Sequence, residues 1–260
     1  MPQKGIVNIS KSGEVFSSVT EADAIYQPVF AVKGLAGAVY EITAAEDIIT
    51  PDGTLRYTAG EVVDTVTTDE TGLAESKPLY LGKYEVREIT APTGYVLNTE
   101  VHTAELVYAG QEVEITETAA DFCNKRQKAA VSLDKVLEQD ERFGIGMGGE
   151  LSAVTFGLFA AEELTAADGS IIPADGLLEI VLVDENGHAV CKTDLPFGSY
   201  YLKELSTDGH YILSDEEYPI VFEYAGQNTA LVEIKANGGA PIENKLLYGE
   251  IHGLKKDEDL

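Results

Sequence analysis

The chain has 260 residues, of which 18 are Lys or Arg and 45 are Asp or Glu, a formal charge of 18 − 45 = −27. So acidic a chain lacks the basic face that phosphate contacts need, which excludes nucleic-acid binding. Its 44% hydrophobic and 24% charged residues are those of a folded protein and not of a disordered acidic tail. No run approaches the roughly 20 apolar residues of a membrane span. Met1-Pro2-Gln3-Lys4 lacks an apolar signal core, so either the protein is cytosolic or its secretion signal lies outside this sequence. Cys123 and Cys191 cannot build a disulfide framework and are read as inert thiols.

An internal repeat sets the organisation. Tyr40-Glu41-Ile42 matches Phe156-Gly157-Leu158 at a shift of 156 − 40 = 116 residues. The same shift carries Asp52-Gly53 onto Asp168-Gly169, Glu88 onto Glu204, Tyr95 onto Tyr211 and Tyr108-Ala109-Gly110-Gln111 onto Tyr224-Ala225-Gly226-Gln227. The expected domains are 1–127 and 128–248, with the basic stretch Lys125-Arg126-Gln127-Lys128 at the joint. Residues 249–260 would be the first strand of a third copy or a disordered tail, since Ile251 and Lys255 repeat the spacing of Val131 and Lys135.

Within each copy the hydrophobic period is two and turn signals such as Asp69-Glu70-Thr71-Gly72 and Asp184-Glu185-Asn186-Gly187 recur, which predicts an all-β chain of two sandwiches. Ala44-Ala45-Glu46-Asp47 and Ala160-Ala161-Glu162-Glu163 could each form one helical turn. In chain order, alternation then turns three polar residues per copy toward the core. Val7 and Ile9 share a face with Lys11, Tyr84 and Val86 with Glu88, and Phe122 with Asn124. The second copy repeats the set: Val131 and Leu133 with Lys135, Tyr200 and Leu202 with Glu204, Ile242 with Asn244. Polar residues at exposed strand ends would be the ordinary explanation for one of these. Six in two matching sets predict a constellation whose members satisfy one another.

Burial pushes a Lys amine toward its neutral, nucleophilic form and a carboxyl toward its protonated form. Such an amine can attack the Asn amide carbon while the Glu shuttles protons and polarises the amide oxygen, expelling ammonia and leaving an amide cross-link. The reaction happens once per domain, so the protein is not an enzyme that turns over.

Tyr84-Glu85-Val86-Arg87-Glu88-Ile89-Thr90-Ala91-Pro92-Thr93-Gly94-Tyr95 resembles the Y-x-L-x-E-x-x-A-P-x-G-Y signature of the Cna B-type and SpaA-like pilin domains of Gram-positive surface proteins, and Leu35-Ala36-Gly37-Ala38-Val39-Tyr40 resembles that family's L-x-G-A-x-F strand. The resemblance implies prealbumin-like, or reverse immunoglobulin-like, sandwiches displayed at the cell surface or cell wall. It also implies Lys–Asn isopeptide bonds, Lys11 to Asn124 with Glu88 as catalyst and Lys135 to Asn244 with Glu204. Lys33, close before Leu35-Ala36-Gly37-Ala38, is a rival to Lys11. Glu204-Leu205-Ser206-Thr207-Asp208-Gly209-His210-Tyr211 keeps the Glu-to-Tyr spacing but lacks the Ala-Pro.

Four dispersed His residues and no Cys-x-x-Cys pair or calcium-type loop predict no metal site, and no organic cofactor is expected. Gly144-Ile145-Gly146-Met147-Gly148-Gly149 precedes a β pattern and reads as a flexible loop, not a phosphate loop. Two function classes follow: a structural stalk of an adhesin or minor pilin, monomeric and contacting neighbouring repeats of its own chain, or an adhesive module that binds a host or extracellular matrix component.

Overall fold

The computed structural model describes residues 2–249, and over them the alternating segments are strands. The expected strand of a third copy lies outside the described residues. The first strand, Lys4–Ala22, buries every second residue from Gly5 to Gly13 and so turns Val7, Ile9 and Lys11 inward. It runs parallel to Ile115–Asn124 on one side and antiparallel to the short strands Leu73–Glu75 and Leu79–Tyr80 on the other. A second sheet packs against it, in the order Val101–Leu106, Gly82–Thr90, Val39–Ala44, Val62–Thr67. Val7, Ile9, Tyr40, Ile42, Tyr84 and Val86 lie at the centre of the core between the two layers.

The second copy repeats this plan around a separate core that includes Leu133, Phe156, Leu158, Leu202 and Phe222. Its lysine strand, Lys128–Leu137, is parallel to Leu231–Lys235 and then to Ile242–Asn244, the final strand being interrupted by a 3-10 turn over Ala236–Gly239. The opposing strands are Leu177–Leu182, Thr155–Ala160, Gly198–Ser206 and Glu217–Phe222. The chain is thus an all-β protein of prealbumin-like sandwiches. The helical turns expected at Ala44–Asp47 and Ala160–Glu163 do not form: both stretches are bends leaving a strand. Ala45 N–H donates to the Lys83 carbonyl and Ala161 N–H to the Ser199 carbonyl, each at 2.9 Å, so the sheet takes the donors that a helix nucleus would need.

The first strand continues past the sandwich as a hairpin with Ile25–Gly34, closed by Asp23 and Ala24, both at positive φ as a type I′ turn requires. This hairpin leaves its own domain and lies on the second copy. Ala167 and Asp168 N–H donate to the carbonyls of Phe16 (3.0 Å) and Ser17 (3.1 Å), and Gln27 Nε2 donates to the Leu178 carbonyl at 2.7 Å. Ile25 pairs in parallel with Leu177, joining strands of both copies into one sheet, and Phe16, Val19 and Tyr26 pack on the second core.

The basic stretch at the joint is built in, not a loose linker. Arg126 is buried, with its guanidinium 3.7 Å from the Phe30 ring centroid, and it donates to Asp194 and to the Leu195 carbonyl. Lys128 Nζ reaches the same Asp194 carboxylate at 2.9 Å. Burial pushes Asp194 up, but hydrogen bonds from Arg126 and Lys128 outweigh it and hold the carboxyl below its ordinary range.

Replacing residues 17–29 by an Asn-Gly turn should leave both cores folded while freeing the copies to reorient. Small-angle scattering should then report a broadened distribution of lengths, and amides near Leu177 should exchange faster. A depressed Asp194 contributes stability that is complete above its unfolded value of about 3.9 and lost as pH falls through the lower folded value. Acid should therefore loosen the joint of the native chain, and Asp194→Asn should remove that pH dependence.

Candidate functional site

Each lysine is placed by a turn from another part of its sheet. Lys11 N–H donates to the Gly72 carbonyl at 2.7 Å, and Lys135 N–H to the Gly187 carbonyl at 2.6 Å. Asp69 holds the first turn by accepting from Thr71 and Leu73 N–H at 2.8 and 3.0 Å, and Asp184 holds the second by accepting from Asn186 and His188 N–H at 2.9 and 2.8 Å. Gly72 sits at φ +82°, and a Cβ there would come within 2.3 Å of the Lys11 carbonyl oxygen. The turn signal legible in the sequence is therefore also the clamp on the lysine strand.

All six inward polar residues meet in two triads. Lys11, Glu88 and Asn124 are 1%, 2% and 2% exposed, and Lys135, Glu204 and Asn244 are 2%, 3% and 1% exposed. In the first, Lys11 Nζ lies 2.8 Å from Glu88 Oε1 and donates to Asn124 Oδ1, while Asn124 Nδ2 donates to the two Glu88 oxygens at 2.9 and 3.0 Å. In the second, Lys135 Nζ is 3.2 Å from Glu204 Oε1 and donates to Asn244 Oδ1, and Asn244 Nδ2 reaches both Glu204 oxygens at 2.9 Å. Burial pushes both lysine amines below their ordinary value, partly offset by the neighbouring carboxylate. The rings of Tyr40 and Phe122 stand 5.7 Å from Lys11 Nζ, and that of Phe156 stands 5.8 Å from Lys135 Nζ. Lys33, the rival to Lys11, is exposed on the hairpin and belongs to no triad.

Two backbone donors complete the sites and were not legible as such. Asn98 N–H donates to Glu88 Oε2 at 2.7 Å and Ser214 N–H to Glu204 Oε2 at 2.9 Å. Their only signal was positional, 214 − 98 = 116, the repeat shift itself. The second copy adds Thr207 Oγ1, 2.9 Å from Asn244 Nδ2. No group of three His, Cys, Asp or Glu side chains among the described residues is placed to hold a metal ion. Cys123 is exposed and Cys191 half-buried, both as free thiols.

Tyr40 is fully buried and its hydroxyl has no partner among the described residues, while Phe156 occupies the matching place in the second copy. A buried unsatisfied hydroxyl costs about 1–3 kcal/mol. Tyr40→Phe should accordingly leave the melting temperature of the first domain unchanged or raise it by a few degrees, as read by calorimetry.

The model of the SpaA prealbumin-like fold domain matches residues 31–119, a range that includes Glu88 and leaves out Lys11 and Asn124. The Trypsin-resistant surface T6 protein of Streptococcus pyogenes serotype M6 is 33% identical over 81 residues, covering 30% of this chain and 15% of its own length. The structure of the Bacillus anthracis TIE protein superimposes with a TM-score of 0.55 at 22% identity, covering 94% of this chain and 34% of its own, which speaks to fold alone. GBS52, the minor pilin of Streptococcus agalactiae, matches over 96% of this chain at 17% identity with a TM-score of 0.33, too loose to add to the assignment. The chain thus spans well under half the length of the surface protein and of the Bacillus protein. Residues 31–119, set in an all-β chain with the signature around Glu88, thus match the SpaA prealbumin-like fold domain.

Proposed function

We propose that the chain is part of the stalk of a bacterial surface protein, made of two tandem domains, 1–127 and 128–248, each of which cross-links itself once. The observation that carries this reading is the same in both copies: one buried carboxylate touches both the lysine amine and the asparagine amide nitrogen. Passing the ammonium proton of Lys11 to Glu88 leaves two neutral groups in an apolar site. Nζ then attacks Cγ of Asn124, a new Nζ–Cγ bond forms, and the Cγ–Nδ2 bond breaks. Glu88 gives its proton to Nδ2 and takes one from Nζ, so ammonia leaves with Glu88 still protonated, and the carboxylate returns only when that last proton passes to the departing ammonia, which goes out as ammonium. The contact at Nδ2 suits Glu88 to this relay. Rotation of the amide by 180° would exchange its oxygen and nitrogen and set a protonated Glu88 to polarise the carbonyl. Glu204 has the same relation to Lys135 and Asn244.

A surface location fits the pilin-type domain and the streptococcal relative, and no helix among the described residues is long and apolar enough to cross a membrane. The adhesive alternative has one observation of its own, a concavity of about 630 Å³ in the second copy, between Lys135–Leu137 and the Gly146–Ser152 loop with Met147 exposed. The joint and the hairpin, which fix one domain against the other, favour the stalk.

The intact chain should be lighter than its sequence mass by two molecules of ammonia, with branched tryptic peptides joining the Lys11 and Asn124 regions and the Lys135 and Asn244 regions. Glu88→Ala should abolish the first bond only. That bond would close a loop of 124 − 11 = 113 residues, and by analogy with disulfides its loss would cost about 4–5 kcal/mol, lowering the melting temperature of that domain by many degrees. An unshifted mass for the native chain, or a cross-link retained by Glu88→Ala, would refute the reading.

A further inference from the structure

The joint between the copies uses a latch that the far end of the molecule also carries. Gln127 is wholly buried and grips the Tyr224-Ala225-Gly226-Gln227 turn: Nε2 donates to the carbonyls of Gly226 and Thr229 at 3.2 and 2.6 Å, and Oε1 accepts from Ala225 N–H at 2.8 Å. The turn so held presents Gln227 to the first copy. There the Gln227 Oε1 accepts from Ala91 N–H at 2.9 Å and its backbone carbonyl accepts from Leu97 N–H at 2.8 Å. Phe197 lies beside them against Gly94, where an added Cβ would stand 3.0 Å from the ring. The Ala-Pro-Thr-Gly-Tyr loop is therefore the seat of the next domain.

The first copy repeats the presenting half of this latch residue by residue. Gln3 Nε2 donates to the carbonyls of Gly110 and Val113, and its Oε1 accepts from Ala109 N–H at 3.2 Å. Gln111 is thereby held as Gln227 is, but it is exposed, and Leu81 stands where Phe197 does. Around Gln111 stand several exposed apolar side chains, Val107 56%, Tyr108 61%, Val113 38% and Ile115 40% exposed, interleaved with the exposed Glu112 and Glu114.

We propose that this end of the first copy is a docking face for the distal end of another prealbumin-like domain. Gln111 accepts the two backbone N–H groups that such a domain offers from its Ala-Pro-x-Gly-Tyr-type loop. The proposal deepens the stalk reading and rests on its tandem domains, though not on the cross-links. Pro78 replaces Asp194 at this end, so the contact needs no arginine, and the apolar rim takes the place of the ion pair. The second copy has the complementary groups: the N–H groups of Thr207 and Leu213, equivalent to those of Ala91 and Leu97, have no hydrogen-bond partner among the described residues. His210 stands where Gly94 admits Phe197, which makes this end the weaker seat.

Two chains in tandem, Leu246 of the first leading directly into Gln3 of the second, reproduce the spacing of Arg126-Gln127 at the natural joint. With only the first unit isotope-labelled, Thr207 and Leu213 amides should exchange about tenfold more slowly than in the single chain. His210→Gly in the first unit should increase that protection, and Gln111→Ala in the second should abolish it. Gln227→Ala in the single chain, which should release the Ala91 and Leu97 amides, calibrates the effect. Unchanged exchange at Thr207 and Leu213 with and without His210→Gly, or protection indifferent to Gln111→Ala, would overturn the proposal. Intact mass of the same samples reports the cross-links separately, so the two readings fail independently.

Discussion

Two ammonium groups held out of water are the constraint around which each sandwich is arranged. A buried lysine is tolerated only with a partner within a few ångströms, and removing one member of such a pair costs about 3–5 kcal/mol. Each copy meets this by bringing a carboxylate from the opposing sheet and an amide from the last strand to the same point. That requirement fixes the register of the first strand against the last, because a slip of one residue would turn Lys11 to solvent and leave Glu88 buried alone. Aromatic rings seal the triads, and the Gly-ended turns hold the lysine strand at the right height. The core and the polar site are thus parts of one packing solution.

The second level of organisation is the absence of a soft hinge. A hairpin from one copy supplies hydrogen bonds, apolar side chains and a paired strand to the other, while the joint peptide is pinned through Arg126 and Gln127. Interfaces between domains of one chain are usually polar and permit relative motion. Here the buried guanidinium, stacked on Phe30 and bonded to Asp194, has that charge partner only when both copies are in place, so bending would strand a charge. Stiffness in this molecule comes from polar groups that need both domains as much as from apolar contact.

The sandwich and the triads were legible because alternation has a period of two and burial is all or nothing at its inward positions. Val7, Ile9 and Lys11 can be assigned to one face without knowing what they face. Lys33 could be ranked below Lys11 on the same ground, and it is exposed. The hairpin was not legible: its alternation is weak, since both faces of residues 14–19 are partly covered and residues 20–22 are exposed, and its turn is Asp23-Ala24 in place of the Asn-Gly that would have announced it. The backbone donors of Asn98 and Ser214 were invisible because any residue type can supply an N–H. Gln127 and Gln227 were lost for a related reason, as a glutamine at a joint looks like ordinary surface until a second domain covers it.

Pairing the first strand with the last also sets the order in which a domain can assemble. Lys4 lies opposite Ile115 and Gly13 opposite Asn124, so the pairing that completes the sheet joins residues about as far apart in sequence as the domain allows. Contacts of such separation form late and slowly, because the loop between them must be closed before they yield any stabilisation. The lysine and the asparagine therefore meet only when nearly everything between them has already folded, and the proposed bond between them would be a chemical record that assembly has reached its final step.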